Sequence, residues 1–62
     1  MSKYLAKNLT KKEEKEFQFK NDQEAIDFFK KEYGHLVSES FIFYKKEEDG
    51  SLVYIESKQS AF

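Results

Sequence analysis

Cysteine, proline, arginine and tryptophan are absent from this 62-residue chain, and glycine occurs only at Gly34 and Gly50. Without cysteine there is neither a disulfide nor a thiolate to bind metal or attack a substrate. His35 is the single histidine, so the usual zinc ligand sets are out of reach. Without arginine the chain lacks the bidentate fork that grips phosphate and guanine, and all eleven basic residues are lysines, which act as point charges. Apolar runs long enough for a signal peptide or a membrane span are also missing, and a cytoplasmic protein is expected.

What remains is a small, charged, aromatic-rich chain. The 12 acidic residues nearly cancel the 11 lysines, so net charge steers it toward neither nucleic acid nor an anionic membrane. A chain of this length buries only about 60% of its unfolded surface. With no disulfide or metal to add stability, seven phenylalanines and four tyrosines must build the core, and self-association is the other common remedy. Lysine in place of arginine, with abundant Phe, fits an AT-rich genome and, for so short a chain, a phage or mobile element.

The clearest element is NDQEAIDFFKKEYG, Asn21 to Gly34. Asn21 and Glu24 have capping-box spacing. Asp22 and Glu24 place negative charge in the first turn, and Lys30 and Lys31 place positive charge near the last. Gly34 is expected to end the helix in a left-handed conformation. Ala25, Ile26, Phe29 and Tyr33 form one apolar stripe with Phe28 on its flank.

Alternation predicts strands at Tyr4 to Leu9 and Glu14 to Lys20. A turn at Lys11-Lys12 would oppose Tyr4 to Phe19 and Ala6 to Phe17, with all four on one face. Thr10 and Glu13 also have capping-box spacing, so a short charged helix in this region is the alternative. After the linker His35-Leu36, strands are expected from Val37 to Lys46 and from Leu52 to Ser57. Between them Asp49-Gly50 suits a three-residue hairpin loop with Gly50 left-handed. Lys58 to Phe62 reads as a frayed tail of the single domain. The expected class is α+β: strand-strand-helix-strand-strand, with one helix on one face of a largely antiparallel four-stranded sheet. The strand order across the sheet does not follow from the sequence.

No motif carries chemistry. Lys45 to Glu56 imitates part of a calcium loop, but Lys45 stands where the first carboxylate is needed. His35 has no nucleophile and orienting acid arranged around a cleft; Ser38, Glu39 and Ser40 lie nearby without a strained turn to present them. Asn8-Leu9-Thr10 matches the glycosylation acceptor pattern, without a secretory signal to give it meaning. Ser60-Ala61-Phe62 has the look of a terminal peptide captured by strand addition. A non-catalytic protein is expected, with no cofactor and no metal.

The three-residue loop pairs Tyr44 with Tyr54 and Phe43 with Ile55. Phe41, Phe43, Val53 and Ile55 then lie on one face, and Ile42, Tyr44, Leu52 and Tyr54 on the other. A two-residue loop would exchange Leu52 and Tyr54 for Val53 and Ile55. The Phe-rich face belongs under the helix; the Tyr-containing face keeps hydroxyls that reach water or a partner. Ile42, Tyr44, Leu52 and Tyr54 are therefore the candidate protein-interaction residues, for a homodimer or a host protein. Lys46, Glu56 and the C-terminal tail could screen them. The alternative is nucleic-acid binding with Phe43, Tyr44 or Tyr54 stacking on bases, which lacks a basic rim.

Overall fold

The computed structural model describes residues 1–61. Strands β1 (Ser2–Asn8) and β2 (Glu13–Phe19), helix α1 (Asp22–Tyr33), and strands β3 (Phe41–Lys46) and β4 (Leu52–Lys58) follow in that order. The strands form one antiparallel sheet in the order β2-β1-β3-β4, so β1 is central and the two hairpins meet along β1 and β3. The expected α+β architecture, with one helix packed on one face, is present. No helix among the described residues is long and apolar enough to cross a membrane.

The helix starts as its sequence predicts: Asn21 Oδ1 accepts from Glu24 N at 2.9 Å. It ends differently. Gly34 is right-handed (φ −60°, ψ −27°), and its N–H donates to the Lys30 carbonyl. A Cβ on Gly34 would lie 2.4 Å from the Lys30 oxygen. Glycine is needed there for room, not for handedness.

The first hairpin has the expected inward face but another register. Tyr4 opposes Phe17 and Ala6 opposes Lys15, with Ser2 against Phe19. The cause is a longer turn. Asn8 pairs with Glu13, Asn8 Oδ1 accepts from Lys11 N at 2.9 Å, and Lys12 takes a positive φ of 57°. The shift is by two residues, which preserves the side-chain face, and the alternative short helix does not form.

Residues 34–40 are loop, so β3 begins at Phe41 rather than Val37. Leu36 turns in to pack on the core, and the Ser40 N–H donates to Thr10 Oγ1. The tail is also more ordered than expected. Lys58 belongs to β4, and its Nζ donates to the Leu36 and Glu39 carbonyls. Beyond it, Ser60 N donates to Ser40 Oγ and Ala61 N to the Val37 carbonyl. Phe62, the rest of that expected tail, lies outside the described residues.

The core lies between α1 and the sheet. Tyr4, Ala6, Ala25, Phe29, Phe41 and Phe43 are buried, with Phe17, Phe19, Phe28, Tyr33, Leu36 and Ile55 packed around them. Phe29 stacks on Phe43 with ring centroids 4.3 Å apart, and Phe28 meets both Phe17 and Phe19 instead of standing aside.

Tyr4 is fully buried, and its hydroxyl donates to Asp22 Oδ1 at 2.7 Å. Burial, and then the neighbouring Asp22 carboxylate, push its pKa up to about 12. Above pH 10 the unfolded chain releases this proton while the folded chain keeps it, so stability falls as pH rises from 10 toward 12. Denaturant titrations should show a shallower loss across that window for Tyr4→Phe than for the parent. Identical slopes would mean that the hydroxyl is not held as described.

Candidate interaction surface

The second hairpin closes as its sequence predicts. Glu47 N donates to the Ser51 carbonyl, leaving the three-residue loop Glu48-Asp49-Gly50, and Gly50 has φ 88°. Asp49 accepts from both Ser51 N and Ser51 Oγ, which holds its carboxyl below the usual range. These contacts make the Lys45–Glu56 region a hairpin with a capped turn. Tyr44 opposes Tyr54, Lys45 opposes Val53 and Lys46 opposes Leu52.

Farther along, the pairing departs from expectation. Phe43 opposes Glu56 rather than Ile55, because a β-bulge adds one residue to β4. Ile55 still packs on the core, and the extra residue turns Glu56 and Lys58 to the helix side. Glu56 lies 4.0 Å from Lys30 on the helix, and Lys58 lies over the Phe41 ring. Glu56 therefore does not screen the opposite face.

That opposite face has no helix over it. The register places Ile42, Tyr44, Leu52 and Tyr54 together on it, with Leu5 of β1 beside Tyr44. Leu5, Ile42 and Tyr44 are half-buried by their neighbours, whereas Leu52 and Tyr54 are 45% and 57% exposed. Tyr54 donates its hydroxyl to Ser57 at 3.0 Å. Leu9 closes one end of the patch, where Leu9, Ile42, Tyr54, Ser57 and the tail bound a shallow depression of about 430 Å³. The other half of the face is charged: Lys3, Lys7, Glu14 and Glu16, with Lys46 reaching over to Glu16 at 3.4 Å. Leu5 escaped the sequence reading, although alternation beside inward Tyr4 and Ala6 points it outward.

Val53 is a correction of a different kind. It is on the helix side, as expected, but 47% exposed instead of covered. It pairs with Lys45, which reaches Asp22 at the first turn of α1, so the hairpin projects past the helix end there.

The residues with potential chemistry are not assembled into a site. His35 and Ser38 are exposed in the 34–40 loop. Ser40 Oγ accepts from the tail. Glu39 accepts from Asn8 Nδ2 at 2.9 Å and lies 3.4 Å from Lys11; these contacts, the Asn8 hydrogen bond first, keep its carboxyl below the usual range. Asn8, the potential glycan acceptor, is buried and bonded through both side-chain ends. Among the described residues no three His, Cys, Asp or Glu side chains gather where they could hold a metal. A depression of about 830 Å³ is lined by Met1, Lys3 and the β3–β4 turn, where Lys45 and Lys46 are followed by Glu47, Glu48 and Asp49.

Comparison with known proteins finds no matching family model, no matching curated protein and no matching solved structure.

Proposed function

We propose that the chain is a non-catalytic protein-interaction module, working through the open face of β3 and β4 by association with a second copy. The observation that carries this reading is the grouping of Leu5, Ile42, Tyr44, Leu52 and Tyr54 on the face that α1 leaves uncovered. In a domain this small, such a patch is a large share of the apolar content, and contiguous exposed patches of this kind mark interfaces. The two tyrosines suit that role, each offering a large ring with a polar tip. A host protein is the alternative occupant.

The nucleic-acid reading gains less support. Phe43 is buried beneath Phe29 and has no ring face to offer a base. The lysines nearest the open tyrosines include Lys46, which is paired with Glu16.

Tyr44→Glu and Tyr54→Glu together should abolish self-association, measured as molar mass by light scattering, while the far-UV spectrum stays that of the parent. A double variant that keeps the parent's associated mass would overturn the assignment. Micromolar binding of the parent to a mixed-sequence oligonucleotide, falling steeply with salt, would favour nucleic acid instead.

A further inference from the structure

The two edges of the sheet are built differently. β2 begins with Glu13, Glu14, Lys15 and Glu16, all exposed, a row of charge that discourages strand addition. β4, at the other edge, presents Leu52, Val53 and Tyr54 in succession, all about half exposed. Leu52 and Tyr54 lie on the open face and Val53 on the helix face. A partner stacked on the open face would cover the first two and leave Val53 in water. A strand laid beside β4, in the plane of the sheet, would flank all three.

The backbone is oriented for it. Glu47 N to the Ser51 carbonyl is the hydrogen bond that closes the hairpin. Bonded and non-bonded pairs alternate from there, so Val53 directs its N–H and C=O to β3, whereas Leu52 and Tyr54 direct theirs to the free edge.

Resting on the reading of the open face as a contact surface, we propose that the second copy joins along this edge, the two β4 strands pairing antiparallel about Val53. Leu52 then exchanges backbone hydrogen bonds with the partner's Tyr54, and Val53 meets the partner's Val53 as a close non-bonded pair. The two open patches become continuous across the junction. The bulge at Ile55 interrupts the regular pattern of β4, which limits the contact to its first half. The pairing uses both β4 edges and leaves the charged β2 edges outside, so it ends at a pair of molecules.

Val53→Glu tests the edge, because it lies outside the open face, faces Lys45 within its own chain, and places like charges against each other only in this pairing. Tyr44→Glu tests the face, because Tyr44 is one strand in from the edge. By sedimentation equilibrium, Val53→Glu should weaken dimerisation about tenfold or more, with a parental far-UV spectrum. Amide exchange at Leu52 and Tyr54 of the unmodified chain should slow as concentration rises. Val53→Glu dimerising like the parent, or exchange at those two amides indifferent to concentration, would overturn edge pairing. Tyr44→Glu alone losing the dimer in that case would leave the open-face reading standing. A parent that stays monomeric would overturn both.

Discussion

Phe29→Ala is expected to leave the chain largely unfolded at 25 °C. Phe29 is only 1% exposed and sits at the junction of the aromatic core. It stacks on Phe43 at 4.3 Å and meets Phe17 and Phe19 edge-on at 5.5 and 5.8 Å. Truncating such a ring costs about 3–5 kcal/mol. At about 0.05–0.15 kcal/mol per residue, a domain of this length has roughly 3–9 kcal/mol in total. Neighbouring rings cannot close the cavity easily, because Phe43 and Tyr33 are themselves held against Phe41. Lys30→Ala is the matched control. Lys30 is exposed, and its 4.0 Å ion pair with Glu56 is worth little in water, so its melting temperature should stay close to the parent's. A Phe29→Ala melt within a few degrees of the parent would contradict the assignment of this ring to the core centre.

The second large effect separates two adjacent residues. Phe43→Glu should abolish folding, whereas Tyr44→Glu should leave the chain folded and only modestly less stable. Phe43 is 2% exposed between the rings of Phe29 and Phe41, so a carboxylate there would be cut off from water amid apolar rings. Burying an unpaired charge costs several kcal/mol even after the group takes up a proton. Tyr44 is one residue along the same strand and points to the uncovered face, where a carboxylate keeps its water. Far-UV circular dichroism and thermal melts of the two variants read the outcome. Both unfolding would place Tyr44 in the core, and both folding would mean that the helix does not cover the face assigned to it.

How much of this was legible in the sequence depends on the kind of signal. Caps and turns were local and therefore readable: Asn21 before the helix, and Asp49-Gly50 in the second hairpin, each act through atoms within three residues. Face assignment was readable as parity, which is why Tyr4, Ala6, Phe17 and Phe19 stayed on one side although their pairing slid by two. The slide was set by Asn8 capping Lys11, which competes with a tighter turn at Lys11-Lys12. The bulge at Ile55 had no residue signature, because no glycine marks it; it reconciles inward Ile55 with the helix-side placement of Glu56 and Lys58. Gly34 looked like a left-handed stop, but the close Lys30 carbonyl is a fact of three dimensions. The strand order left one unused clue in the acids of β2, which suit an edge better than a centre. Four interaction candidates, Ile42, Tyr44, Leu52 and Tyr54, followed from one correctly judged loop length, and Leu5 joined them only once β1 was seen to lie beside β3.

The most direct test of the interaction surface is sedimentation equilibrium of the unmodified chain from roughly 1 μM to 1 mM, a range that resolves weak as well as firm dimers. A surface with this apolar content should drive the average mass from that of the monomer toward twice that value as concentration rises. A mass that remains monomeric to the top of the range would contradict self-association through the uncovered face.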